Sequence, residues 1–330
     1  MRAVLAMAPH LPPLLFGPAE REALDGTADL SQVLTEFRSV RAKAALADAE
    51  ILITGWECPP IDAEVFTAAP HLRAVVHAAG SVKAHVGPEV FERGIVVSSA
   101  AWANALPVAE YTVAMILLAG KSAFAIARRY RETRARVDLI GEYPEIGNYG
   151  RTVGIIGASL VGRAVLRLLA PFDLELLVYD PYLSTADAEE LGAQPVGLDE
   201  LCARSQILSI HAPALPQTRA MVDSTRLALL PDGATLINTA RGSLVDQDAV
   251  ENELRTGRIS AVLDVTEPEV LPSGSALWDL PNLVLTPHLA GSVGTELRRM
   301  GASVVAEVLR IAAGQPLRHE VRASALAAIA

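Results

Sequence analysis

Short apolar runs separated by amphipathic stretches set the rhythm of this chain. Arg2–Ala6, Glu50–Thr54, Leu72–Ala78 and Ile95–Ser98 are rich in Val, Ile, Leu and Ala. They are too short for core helices and read as buried strands. Between them, Gln32–Leu46 and Ala63–Ala68 read as helices, and Asp62 is placed to cap the second. A helical pattern then runs from Asn104 to Arg136, with Gly120 as the place for a break, and Val137–Gly150 is a loop rich in Gly and Pro. Alternation resumes with strands at Thr152–Ile156, Leu174–Tyr179, Gln206–Ile210, Ala234–Asn238, Ile259–Asp264 and Leu283–Thr286. Helices are expected at Arg163–Leu169, from Ser184 and Asp187 onward, near Ser224–Leu230 and at Asp246–Thr256. Gly294–Ala313 is a last amphipathic helix that follows a completed sheet, so it is expected to return to the first domain. Strands alternating with helices imply an α/β protein with parallel sheets. A length of 330 residues implies two domains.

Composition narrows the partners. Half the residues are hydrophobic, ample for two cores, and the formal charge is −10. Nucleic acid and anionic membranes both require a basic surface, so neither is expected as a partner. Arg128, Arg129, Arg131, Arg134 and Arg136 form the one basic cluster, a solvated helix face or an oligomer contact. Cys58 and Cys202 follow no metal spacing and are expected as reduced thiols in a cytoplasmic protein without a metal. The N-terminus reads as a first strand, not a signal peptide. The most apolar segment, Val113–Gly120, reads as too short to span a bilayer.

Chemistry enters at Arg151–Asp180. A strand there runs straight into Gly157-Ala158-Ser159-Leu160-Val161-Gly162, then a helix, a second strand and Asp180. This is the layout of a dinucleotide-binding βαβ unit. Gly157 permits a sharp turn, Gly162 permits close packing, and the helix N-terminus faces a pyrophosphate. An acidic group about 20 residues further on can accept from ribose hydroxyls. The middle glycine of the usual fingerprint is replaced by Ser159, which either holds the pyrophosphate further out or donates a hydrogen bond to it.

Three later segments end in polar residues at the carboxyl ends of strands, the edge at which open α/β sheets bind ligands. They contain Arg241, the carboxylates Asp264, Glu267 and Glu269, and His288. Arg241 could grip a substrate carboxylate through a bidentate pair. His288 could exchange a proton with a hydroxyl or carbonyl near neutral pH. A carboxylate beside it would orient the ring.

Over nearly its whole length the chain resembles the D-isomer-specific 2-hydroxyacid dehydrogenases. The matching stretches are VGIIGASLVGR (153–163), VYDPY (178–182), SIHAPALPQTRAMVD (209–223), INTARGSLVDQDAV (237–250), LDVTEPEVLP (263–272) and LWDLPNLVLTPHLAGS (277–292). LRAVVHAAGSV (72–82), ERGIVVSSA (92–100) and NALPVAEYTVAMILL (104–118) fit as well. The resemblance implies a Rossmann NAD-binding domain, residues 102–290, inserted into a flavodoxin-like substrate domain, residues 1–101 and 291–330. It implies a catalytic set of Arg241, Glu269 and His288, with Glu269 preferred to Glu267 by its motif position. It places Gly157, Ser159, Leu160, Val161, Asp180, His211, Pro213, Thr218, Thr239, Ala240, Asp264 and His288 on the cofactor. Asp264 falls to the nicotinamide carboxamide, and Asp180 to the adenosine ribose, which favours NAD over NADP. The substrate is a small 2-hydroxy or 2-keto acid whose carboxylate binds Arg241 and backbone N–H groups of Ala79, Gly80, Ser81 and Val82. His288 carries the proton while hydride passes between C2 and the nicotinamide. Glyoxylate or hydroxypyruvate is the first substrate expected and phosphoglycerate the second. No regulatory module is expected after the second domain. A homodimer is implied, joined through Asn104–Arg136 and the following loop, where Tyr143 is a candidate to reach a neighbour's site.

Departures from the family pattern concern the substrate. Lys83 stands where an acidic residue is frequent, and it is either solvated or attracts an anionic substrate tail. Ala101-Trp102 replaces Pro-Gly, so the indole either packs in the core or narrows the cleft near the nicotinamide. Trp56 is a similar candidate for a wall of the cleft, and His77 reads as a packed strand residue. A non-catalytic, NAD(H)-sensing interaction protein on the same fold is the alternative reading. Retention of Arg241, Glu269 and His288 together counts against it.

Overall fold

Neighbouring residues of the short strands point to opposite faces of a sheet, and both faces are buried. A computed structural model describes residues 1–326 and contains thirteen strands. In chain order they are β1 (Ala3–Ala6), β2 (Ala28–Leu34), β3 (Ile51–Thr54), β4 (Ala74–His77), β5 (Val96–Ser99), β6 (Arg151–Ile156), β7 (Leu174–Tyr179), β8 (Gln194–Pro195), β9 (Ile207–Ile210), β10 (Thr235–Asn238), β11 (Ser260–Leu263), β12 (Leu283–Leu285) and β13 (Glu320–Val321). They belong to two units: Met1–Ala105 with Ser292–Ala330, and Leu106–Gly291. Residues 327–330, the end of the expected 291–330 segment, lie outside the described residues.

In the first unit the sheet order is β13-β5-β4-β3-β1-β2, parallel except for β13. Without β13 this is the flavodoxin-like order, which reverses between β1 and β3. Ala3, Leu5, Ile51 and Ile53 enter one core while Val4, Ala6, Leu52 and Val75 enter the other. Each buried Leu or Ile contributes about 1.5–3 kcal/mol. The helix Ala63–Ala68 begins where Asp62 accepts from the N–H groups of Glu64 and Val65. The expected helix Gln32–Leu46 is corrected: Ala28–Leu34 is the edge strand β2, and the helix is only Val40–Leu46, capped by Ser39. An edge strand open to water on one side tolerates Asp29, Ser31 and Gln32, and this mixture gives no strand alternation.

The last long helix is Leu297–Ala312. Its Leu297, Met300, Val304, Val308 and Ile311 share a core with Leu5, Leu15 and Phe16. Gly301 is required there, because a Cβ would lie 1.9 Å from the Leu15 carbonyl oxygen. Buried Glu307 accepts from the N–H groups of Arg318 (3.1 Å) and His319 (2.8 Å), and this delivers β13 to β5.

In the second unit all seven strands are parallel, in the order β12-β11-β10-β9-β6-β7-β8. The order reverses between β6 and β9, as in a doubly wound dinucleotide fold. The pattern of apolar runs showed six of these strands. β8 is two residues long, too short to leave a pattern. The long helical stretch divides into Ala101–Gly120 and Ala123–Thr133. Ala101–Gly120 is long and apolar enough to cross a membrane by length and composition, with mean hydropathy 1.3, which corrects the length inferred from Val113–Gly120. Two of its polar side chains are engaged within the chain. Asn104 accepts from Ser292 N–H at 2.9 Å, and Thr112 bonds Thr239 at 3.0 Å.

Candidate active site

Six segments of the second unit leave the same carboxyl edge of its parallel sheet, after β6, β7, β9, β10, β11 and β12. After β6 the chain turns at Gly157, whose φ is +95°. A Cβ there would sit 2.7 Å from the Ala212 nitrogen, and one at Gly162 would sit 2.0 Å from the Gly157 carbonyl oxygen. Only glycine fits either position. Ser159 is the N-cap of the helix Leu160–Leu169, and its hydroxyl accepts from Gly162 N–H at 3.3 Å. The serine therefore serves its own helix. The N–H groups of Leu160 and Val161, in the first turn, have no partner within an α-helix and point along its positive end.

Asp180, after β7, closes this turn from the other side. One carboxylate oxygen accepts from Ala158 N–H at 2.7 Å and the other from Tyr182 N–H at 2.8 Å. Each oxygen keeps a second lone pair. His211, after β9, is buried beside the turn. Its Nε2 bonds Ser209 at 2.9 Å, and its Nδ1 finds no protein partner. Burial pushes its pKa down to about 3, so the ring is neutral. A glycine-only turn, an anion-seeking helix end and a carboxylate at the next strand together fit a dinucleotide. Thr218 is a different matter: its hydroxyl donates to the Pro213 carbonyl at 2.6 Å and accepts from Leu215 N–H at 2.9 Å, which braces the loop after His211.

After β10, Asn238 locks the next corner by donating to the Arg241 carbonyl and accepting from Ala240 N–H. Thr239 is buried against Thr112. Arg241 is half-buried and donates to the Ala240 carbonyl at 2.6 Å. Burial lowers its pKa, and the charge of Glu269 acts in the opposite sense. Glu269 also meets His288, whose Nδ1 lies 2.5 Å from Oε1. Arg241, Glu269 and His288 are thus one electrostatic group. Glu267 is committed elsewhere, in a two-pronged pair with Arg219 at 3.1 and 2.9 Å.

Asp264, after β11, is held by several hydrogen bonds. It is 1% exposed, and its carboxylate accepts from Thr286 Oγ1 (2.6 Å), Leu289 N–H (2.9 Å) and Ala290 N–H (2.9 Å). Its carbonyl also accepts from His288 N–H at 2.9 Å. The carboxylate is bound to the loop 286–290, so it organises the histidine. Tyr111 extends the chain by bonding Thr286 Oγ1 at 3.0 Å. Because Thr286 donates to Asp264, Tyr111 is the donor in that bond. Tyr111 and Thr286 lie far apart in the chain, so no spacing marks them as partners.

The loop Ala79-Gly80-Ser81-Val82 belongs to the first unit, after β4. Ala79 and Val82 are buried, while Gly80 and Ser81 are partly open. Lys83 is exposed and Trp56 half-exposed. Trp102 does not pack in the core. It is half-exposed and stacks on His319 at 5.3 Å, because Glu307 holds that segment in place. His77 is a packed strand residue, 2% exposed. Among the described residues no His, Cys, Asp and Glu cluster suits a metal ion.

Comparison with known proteins gives a consistent result. The family model of the D-isomer specific 2-hydroxyacid dehydrogenase NAD binding domain matches residues 113–290. A glyoxylate reductase of Korarchaeum cryptofilum is 36% identical over 256 residues, 76% of each chain. A D-3-phosphoglycerate dehydrogenase of Mycobacterium leprae is 33% identical over 275 residues, covering 82% of this chain and 51% of that one. The chain thus spans about half the length of the phosphoglycerate dehydrogenases it matches. The crystal structure of a D-lactate dehydrogenase from Aquifex aeolicus, in complex with NAD and lactic acid, is 26% identical with a TM-score of 0.71, covering 94% of this chain and 96% of that one.

Proposed function

The chain belongs to the D-isomer specific 2-hydroxyacid dehydrogenases, and from that premise we propose that it interconverts a small 2-keto acid and its D-2-hydroxy acid with NAD(H). The observation that carries this reading is the His288–Glu269 contact at 2.5 Å, within the electrostatic reach of Arg241. Glu269 is an acceptor, so it holds a proton on Nδ1 and leaves Nε2 of His288 to give or take the substrate proton. Arg241, with its guanidinium partly dehydrated, binds the substrate carboxylate and orients C2. Asp264 and Thr286 fix the backbone that carries His288.

A bound nicotinamide supplies or accepts the hydride. The Gly157 turn, the N–H groups of Leu160 and Val161, and Asp180 are the residues that would hold its dinucleotide. The carboxylate of Asp180 disfavours a 2′-phosphate by like-charge repulsion, which supports NAD over NADP. Glyoxylate or hydroxypyruvate is the preferred substrate, because the glyoxylate reductase relative matches over 76% of its own length while the phosphoglycerate dehydrogenase matches over 51%. We further propose a homodimer in the cytoplasm.

The test is loss of NADH absorbance with a panel of 2-keto acids: glyoxylate, hydroxypyruvate, pyruvate and phosphohydroxypyruvate. Turnover with at least one is expected, with NADH preferred to NADPH. Measurable NADH binding with no turnover of any acid would replace this reading with that of a nucleotide sensor.

A further inference from the structure

Two histidines flank the partly open loop of the first unit, one before it and one after it, and both meet the same hydroxyl. Thr54, the last residue of β3, places Oγ1 2.8 Å from Nδ1 of His77 and 3.1 Å from Nε2 of His85. The two rings lie 4.5 Å apart. Thr54, His77 and His85 are 0%, 2% and 4% exposed, so the three form a dry polar chain beneath residues 78–84. The backbone joins the same knot. Ala78 N–H donates to the Thr54 carbonyl at 2.7 Å, and His85 N–H donates to the Val82 carbonyl at 3.1 Å.

The Ser81 backbone and the lowered pKa of both rings favour one direction along the chain. The Ser81 backbone is hydrogen-bonded to the His77 ring and favours its protonated form, as a carbonyl acceptor does. That acceptor takes the proton on the ring nitrogen not used by Thr54. Burial lowers the pKa of both histidines, His85 to about 4, so each ring carries a single proton at neutral pH. Nδ1 of His77 is then an acceptor and Thr54 O–H donates to it. Thr54 Oγ1 in turn accepts from Nε2–H of His85. The chain runs one way, from His85 through Thr54 and His77 to the loop carbonyl, and each bond polarises the next.

We propose that His85, Thr54 and His77 are positioning residues that staple the loop 79–82 and thereby set the affinity for the substrate carboxylate. This rests on the reading of the chain as a 2-keto acid reductase. The polar edge available to an anion is confined to Gly80 and Ser81, because Ala79 and Val82 are buried. A short loop of small residues has no side chains to hold its own shape. Backbone donors on such a loop would lose their grip on an anion if the loop shifted by about an ångström. The staple supplies the rigidity from a layer that touches neither substrate nor cofactor.

Thr54→Val removes the hydroxyl at nearly constant volume. It is expected to raise KM for glyoxylate, or for whichever acid of the panel is reduced fastest, by about tenfold or more. kcat should stay within about threefold and the NADH Kd within about twofold, since neither depends on this loop. Thr54→Ser, which keeps the hydroxyl, should restore KM. Amide hydrogen exchange gives a readout independent of turnover: the peptide 77–85 should exchange faster in Thr54→Val while 153–163 is unchanged. If Thr54→Val does not fold, His85→Leu opens the same staple and takes its place. Unchanged KM together with unchanged exchange overturns the proposal, and faster exchange with unchanged KM overturns its positioning part. Absence of turnover by the unmodified chain overturns the reductase reading instead, and the exchange measurement still decides whether the staple holds the loop.

Discussion

His288 adopts φ +53°, a left-handed conformation that costs a non-glycine residue on the order of 1 kcal/mol. Its surroundings over-determine it. Its own N–H donates to Asp264 and Thr286 carbonyls, and the next two N–H groups bind the Asp264 carboxylate. Strain held this firmly at one residue is consistent with a placed proton donor. His288→Ala should lower kcat by about 10²–10⁴-fold with little change in NADH Kd, measured by steady-state kinetics and fluorescence titration. Unaffected turnover would remove His288 from the mechanism. Glu269→Gln keeps the shape but no longer specifies the tautomer, so a smaller loss is expected.

A separate residue-scale effect is acid sensitivity. His85 and His211 have folded pKa values near 4 and 3, below the ordinary 6.5. Between those values the unfolded chain binds more protons than the folded one, so stability falls as pH drops through that window and is unaffected above it. The loss is on the order of 3 kcal/mol per histidine at the acid end. Melting temperatures measured from pH 8 to pH 4 should decline below about pH 6.5, and His85→Leu should flatten the decline. A level profile in the parent chain would contradict the buried neutral state.

At the scale of elements, the fingerprint turn shows why Ser159 is tolerated. Its hydroxyl caps the helix that it precedes, so the middle glycine of the usual motif has been exchanged for a local hydrogen bond. Ser159→Ala should cost about 1 kcal/mol, and Ser159→Gly only a few tenths. NADH affinity should stay within about fivefold for the glycine variant, since one first-turn bond amounts to about 1 kcal/mol. A tenfold change in Kd measured by titration would show instead that the hydroxyl reaches the pyrophosphate.

The same scale shows what could be read in the sequence. Strands with both faces buried, such as Ile51–Thr54 and Thr235–Asn238, announced themselves as continuous apolar runs. The edge strand Ala28–Leu34 did not, because solvent on one face relaxes its pattern and Ala and Gln also suit a helix. Glu269 and His288 were readable as a pair by motif position. The Tyr111–Thr286–Asp264 and His85–Thr54–His77 chains were not. Their members are joined only by tertiary packing, and a hydroxyl leaves no spacing signal in the sequence.

At the scale of the whole molecule, the helix Ala123–Thr133 and the short helix Leu139–Glu142 bury no residue within the chain. They nevertheless carry Phe124, Tyr130, Leu139 and Ile140, and Tyr149 follows in the loop, 90% exposed. Exposed apolar side chains concentrated in one stretch of the chain suit an interaction surface. Arg128 and Arg129 are paired with Glu132 and Glu142, so the basic cluster is partly neutralised and suits a protein contact better than a polyanion. A second copy of the chain fits both features, given the homodimer proposed above. Light scattering should then return twice the 34.9 kDa chain mass. Ile140→Asp combined with Phe124→Glu should shift it to one chain without unfolding the parallel sheets, because neither side chain belongs to a core. A single-chain mass for the unmodified protein at micromolar concentration would refute the dimer and leave this surface to another partner.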